Sequence, residues 1–185
     1  DQVVISDVDE IPNLENINIQ NIKEKIIMFE QEIFYYKLNR YLPNFKWYGT
    51  KACKKKNLIN PQWLRNIKNK KYSFLRLDTF FSKTKYIDKY FIQNGGWHFS
   101  NLKNAIDIEL KLKSYLHHTD YEFEKLGEKK IDYLIQNNMT IYDMFSDKSS
   151  KKYGDKKRKI LEKYNFDKLP LYIKNNHNKY KDWID

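Results

Sequence analysis

A single cysteine, Cys53, stands among the 185 residues. That excludes an internal disulfide and any multi-cysteine zinc site. Long apolar runs are missing as well. Lys, Asn or Asp interrupts each of them within a few positions, well short of the roughly 20 consecutive apolar residues that a membrane span needs. The opening residues carry no signal-peptide pattern, and no internal repeat or linker-like tract breaks the chain. A single domain over residues 1–185 is therefore the expectation at this length. What the chain has in quantity is aromatic residues, at 16%, within a hydrophobic share of 41% and beside 32% charged residues. This is too apolar and too aromatic for a disordered polyelectrolyte, so a buried core follows.

The charge is basic, with 35 Lys+Arg against 24 Asp+Glu for a net +11. It is also uneven. Residues 1–30 hold seven acids and two bases, whereas residues 151–185 hold eleven bases and five acids. A basic tail raises the question of phosphate neutralisation along Lys151–Lys159, since cationic side chains release counterions from nucleic acid. Lys dominates in company with Asn and Ile, and no aromatic–basic RNA motif accompanies it. A solvated surface is the preferred reading, and no nucleic-acid partner is expected.

Local patterns point to a mixed α/β or α+β domain. Val3-Val4-Ile5-Ser6 reads as a buried strand running into the acids Asp7, Asp9 and Glu10 and then Pro12. Ile19, Ile22, Ile26, Phe29, Ile33 and Tyr36 fall at spacings of three and four, which predicts a helix, although residues 33–38 fit a strand equally well. Trp47–Thr50 and Ile92–Ser100 read as strand or strand-to-loop segments. Residues 104–117 and 122–137 read as helices, the second ending in Asn137-Asn138 as a C-cap. Asp155–Tyr164 reads as a lysine-rich helix, and the polar stretch 146–152 as a mobile loop.

Three constellations carry chemistry. In Asp7-Val8-Asp9 the carboxylates lie two apart at the end of a strand, a spacing that suits a hard divalent cation bridging phosphate oxygens. An exposed acidic turn is the plainer alternative. In Gly95-Gly96-Trp97-His98-Phe99-Ser100 the glycines allow close backbone approach, Trp97 offers a face for a sugar ring, and His98 an imidazole for a metal. The plainer alternative there is a turn with a core tryptophan. On the helix at 104–117, Lys111, Ser114 and His117 or His118 share one face through the i, i+3, i+4 relation and so can address a phosphate, a sugar hydroxyl or the metal, the plainer alternative being a solvated helix end where Lys and His suit the dipole. Asp107 and Glu109 on the same segment, with Asp120, are candidate general bases.

Taken in order, Ser6-Asp7-Val8-Asp9-Glu10-Ile11-Pro12, Phe34-Tyr35-Tyr36-Lys37-Leu38-Asn39, Trp47-Tyr48-Gly49-Thr50, Gly95-Gly96-Trp97-His98-Phe99-Ser100 and Lys111-Leu112-Lys113-Ser114 closely resemble glycosyltransferase family 17. This is the family of β-1,4-mannosyl-glycoprotein 4-β-N-acetylglucosaminyltransferase. The likeness extends to Pro61 with Leu64-Arg65 and to Leu169-Pro170-Leu171-Tyr172-Ile173. It departs at His117-His118-Thr119-Asp120, which fits only with one residue inserted, so either histidine can match the family's own.

The resemblance implies a GT-A-like nucleotide-sugar transferase that uses UDP-N-acetylglucosamine as donor, a glycan or glycoprotein as acceptor, and inverts the anomeric carbon. It implies Mn²⁺ or Mg²⁺ as cofactor, with Asp7, Asp9, His98 and His117 as its ligands. Glu10, Asp107 and Glu109 are then the catalytic carboxylates. Asn39, Trp47, Thr50, Arg65, Gly95, Gly96, Trp97, Lys111 and Ser114 are the substrate-binding residues. A GT-A fold builds its uridine pocket from strands that precede the Asp-x-Asp motif, and the chain opens at Asp1 just before that motif, so the first strands are expected to lie upstream. Location follows the same split: cytoplasmic without an upstream anchor, Golgi-type with one. The rival reading is a non-catalytic carbohydrate-binding module that stacks sugars on Trp97 and Trp47.

Overall fold

The structure, a computed structural model, describes residues 1–70, 72, 75, 77, 81–85, 87–114, 124–146 and 152–185. Its strands are β1 (Gln2–Ile5), β2 (Glu10–Pro12), β3 (Ile26–Tyr35), β4 (Arg40–Trp47), β5 (Lys51–Lys54), β6 (Lys89–Ser100) and β7 (Glu162–Lys163). The helices are α1 (Pro61–Asn66), α2 (Ala105–Ser114), α3 (Glu128–Gln136), α4 (Leu171–Asn175) and α5 (His177–Tyr180). The fold is mixed α/β. The strand order is β1-β5-β3-β4-β7, with β6 pairing both β3 and β2.

Two compact units can be distinguished. The first comprises Asp1–Glu32 and Lys46–His98, the second Ile33–Phe45 and Phe99–Asp185. In the first, β5 lies antiparallel to both β1 (Val3 opposite Cys53) and β3 (Ile27 opposite Ala52), and β2 lies antiparallel to β6 (Glu10 opposite His98). Side chains alternate along β3, so its two faces feed two clusters. Ile26 and Met28 pack with Cys53, Trp63, Leu64 and Ile67, while Ile27 and Phe29 pack with Ala52 and Ile92. Helix α1 starts where its sequence says it should. Asn60 Oδ1 accepts from Trp63 N at 2.8 Å, and Pro61 occupies the first helical position, where no amide hydrogen is missed.

In the second unit α2 and α3 cover a core of Ile33, Tyr35, Tyr36, Leu42, Ile108, Ile131, Leu134 and Leu161. The Tyr36 hydroxyl donates to Met139 O at 2.9 Å, and burial pushes its pKa well above the usual phenol range.

Several expectations are corrected. The helix expected over the first half of residues 19–36 does not form, while the strand alternative for residues 33–38 holds for Ile33–Tyr35. Ile19–Asn21 is one 3₁₀ turn capped by Asn18, and Ile26–Tyr35 is a strand. A strand buried on both faces reads as a nearly continuous apolar run, and a 3,4-spaced stripe can be picked out of such a run by chance. The lysine-rich helix at 155–164 is a 3₁₀ turn over Asp155–Lys157 followed by an extended segment ending in β7. Arg158 explains this: its guanidinium is buried against Asp155 and Glu124, a constraint no helical period reveals. The strand ending at Ile5 forms but is not buried as expected, with Val4 exposed and its neighbours only half-buried, whereas β6 across 92–100 and the helices within 104–117 and 122–137 form as expected, the last starting only at Glu128. Residues 115–117 of the one helix, 122–123 of the other, and most of the loop 146–152 lie outside the described residues.

Candidate active site

The first unit gathers the acidic motif into a tight turn. Glu10 N donates to Asp7 O at 3.0 Å, closing a four-residue turn with the fully exposed Val8 and Asp9 at its apex. Glu10 itself points inward and is 5% exposed. Its Oε2 accepts from Asp7 N at 3.1 Å and from the Thr50 hydroxyl at 3.0 Å, and its Oε1 accepts from Trp47 Nε1 at 2.6 Å. Ser6 completes this inner network, its hydroxyl 2.8 Å from Glu10 O and 2.7 Å from Thr50 Oγ1.

On the outer side of the turn the Arg65 guanidinium, in the last turn of α1, grips Asp7 with both terminal nitrogens, the second at 3.1 Å from Oδ2. Lys51 holds α1 in place by donating to Arg65 O at 2.6 Å. Burial pushes the Lys51 pKa down; the Glu10 carboxylate opposes that fall, Arg65 adds to it and Asp7 opposes it. The His98 Nε2 lies 3.4 Å from Asp9 Oδ2, and its ring rests against Trp47 with centroids 4.7 Å apart. His98 is nearly buried, and its Nδ1 has no hydrogen-bond partner among the described residues.

Asp7, Asp9, Glu10, Trp47, Thr50, Arg65 and His98 are thus brought together. The paired glycines serve the sheet. A Cβ on Gly95 would come within 2.8 Å of Glu30 N and Ile92 O, and one on Gly96, where φ is +135°, would strike Ile11 O and lie 2.9 Å from Asn13 N. Trp97 sits opposite Ile11 in the β2–β6 ladder and is 8% exposed, with little of its ring open for stacking a sugar.

The remaining candidates belong to the second unit. Asn39 is buried and clasps the last residue: its Nδ2 donates to Asp185 O and its Oδ1 accepts from Asp185 N, each at 3.0 Å. Asp107 lies in the first turn of α2, Glu109 pairs with Lys113 at 2.7 Å, Lys111 Nζ donates to Asn101 Oδ1 at 3.0 Å, and the Ser114 hydroxyl donates back to Leu110 O at 2.6 Å. His117 and Asp120 lie outside the described residues.

Sequence reasoning passed over Ser6, Lys51, Glu30, Glu32, Lys46 and Tyr48. The last four form a polar cluster. Lys46 bridges Glu32 and Glu30, and Tyr48 OH donates to Glu30 Oε2 at 3.0 Å. The recurrence of Glu30 and Glu32 two apart, on one face of a strand with apolar ends, was the available signal.

Asp9 and His98 place a carboxylate oxygen, of the kind that suits Mg²⁺ or Mn²⁺, beside an imidazole nitrogen. Asp7, the next donor in the turn, is engaged by Arg65, and among the described residues no three His, Cys, Asp or Glu side chains converge as a metal-holding group. Asp9 and His98 thus offer two donor side chains side by side, and Asp7 would join them only on leaving Arg65. Among the described residues no helix is long and apolar enough to cross a membrane.

The sequence model of glycosyltransferase family 17 matches residues 1–184. No curated protein and no solved structure matches the chain. Because the family match runs through the acidic turn, the β6 strand and both units alike, the chain belongs to glycosyltransferase family 17 and is a glycosyltransferase, a class that implies a nucleotide-sugar donor and a glycan acceptor.

Proposed function

We propose that the protein transfers N-acetylglucosamine from UDP-N-acetylglucosamine to a glycan or glycoprotein with inversion, in a GT-A-like frame and with Mn²⁺ or Mg²⁺. The observation that carries this reading is the meeting of Asp9 and His98 at the apex of a turn whose other acid faces Arg65. In this reading Asp9 and His98, joined by Asp7, hold the cation. Bound there, it would neutralise the diphosphate as UDP leaves. Arg65 exchanges the Asp7 carboxylate for a phosphate, a bidentate match for its planar fork. A carboxylate withdraws the proton from the acceptor hydroxyl as that oxygen bonds to the anomeric carbon.

Calorimetric titration with UDP-N-acetylglucosamine, with and without Mn²⁺, tests the proposal. Binding is expected only with Mn²⁺ and is expected to fall at least tenfold in Asp9→Ala at an unchanged circular dichroism spectrum. Equal binding in the presence of a chelator, or an unaffected Asp9→Ala variant, would overturn the role of the cation.

A further inference from the structure

We infer that Glu10 is the positioning residue of the acidic turn: a buried carboxyl that sets the backbone of Asp7–Asp9 and, through Trp47, the ring of His98. The inference rests on the reading of that turn as the donor site, and it deepens that reading by assigning what holds the site's shape. Three independent observations support it.

First, the turn is closed twice between the same two residues. Glu10 N donates to Asp7 O, and Asp7 N donates to Glu10 Oε2 at 3.1 Å. This reciprocity, of the kind that a capping box gives to a helix start, leaves the intervening Val8 and Asp9 little torsional freedom although both are at the surface. Second, the other oxygen of Glu10 receives the Trp47 indole N–H at 2.6 Å, and Trp47 stacks on His98, the residue that faces Asp9. One carboxyl group thereby connects to both sides of the proposed cation seat without being part of it. Third, the neighbouring backbone is built around this carboxyl. A Cβ on Gly49 would collide with Glu10 Oε1 and Cδ and with Trp47 Nε1. No φ in the left-handed region demands glycine at position 49, so the requirement there is for space alone. A buried carboxyl meeting only donors is a costly arrangement to leave unmet and a stiff one once satisfied.

The test uses the whole chain labelled with ¹⁵N and three variants. Glu10→Gln keeps the volume but presents an amide N–H₂ where Asp7 N–H or Trp47 N–H must be accepted. Gly49→Ala displaces the same carboxyl without altering its chemistry. Ile92→Val, in the core of the same unit, serves as a control for general destabilisation. In both Glu10→Gln and Gly49→Ala the Asp7 amide is expected to exchange with solvent at least tenfold faster and the Trp47 indole resonance to shift. Affinity for Mn²⁺ alone is expected to fall at least tenfold in both. Ile92→Val should lower the melting temperature and leave all three readouts in place.

Unchanged Asp7 and Trp47 signals in a folded Glu10→Gln protein would overturn the inference. So would loss of Mn²⁺ affinity in Ile92→Val equal to that in Glu10→Gln, which would make the effect one of stability. If the wild-type chain takes up no Mn²⁺, the donor-site reading fails by itself, and the Asp7 and Trp47 signals still decide whether Glu10 sets the turn.

Discussion

Single side chains in the first unit carry opposite demands on protonation. Tyr48 donates its phenolic hydrogen to Glu30, and burial, reinforced by that bond and by the Glu30 charge, pushes its pKa from the ordinary 10 up to about 12. A raised pKa means that the folded state holds the proton more tightly than the unfolded chain. The contribution is therefore fully present below pH 10 and is lost as the pH climbs through about 12. Chemical unfolding across this window should show a wild-type decline that Tyr48→Phe lacks; parallel curves for the two proteins would mean that the Glu30 bond does not couple to folding. Of the seven candidates that the fold brings together, five share a trait visible in the sequence, three acids, an arginine and an imidazole, while Trp47 and Thr50 do not. Glu10 was visible as an acid, but the donors that reach its carboxylate come from positions 6, 7, 47 and 50, and no local pattern joins them. Trp97 and the glycines 95 and 96 were legible as special residues, yet what fills the space around them is β2 and β3, which lie far away in the chain.

Elements were legible where one face is wet. Helix α3 places Ile131 and Leu134 in the core with lysines and acids opposite, so its 3.6-residue period survives in the sequence. Leu134 is fully buried. Leu134→Ala is expected to cost about 2–5 kcal/mol through lost burial and the cavity left behind, read as a lowered midpoint of urea unfolding. A loss well under 1 kcal/mol would mean that the second core closes over the gap. Strand β3 was misread because it is sheathed on both sides, and its period disappears into two apolar runs, Ile26–Phe29 and Ile33–Tyr35, on either side of Glu30-Gln31-Glu32. The extended segment near Arg158 was misread for a different reason. Its path follows a buried ion pair with Glu124, 34 positions away, and sequence spacing cannot anticipate such a partner.

At the scale of the whole molecule, charge acts over a distance and long-range contacts join remote stretches of chain. The net +11 is uneven, acidic over residues 1–30 and basic over 151–185, and a charge of this size governs solubility and encounter rates with anionic donors without fixing the fold. Asp185 has a different standing. Asn39 is 1% exposed, and Asp185 supplies the partners for both ends of its amide, while the Asp185 side chain ion-pairs with Arg40. A side-chain amide is usually counted as a local contact. Here one buried amide stitches together two stretches of chain 146 positions apart, acting on the backbone as a single rung of a sheet would. Asn39→Leu removes both bonds at once, each worth about 1 kcal/mol, and should lower the melting temperature, whereas an unchanged melting temperature would mean that this rung adds nothing to the fold.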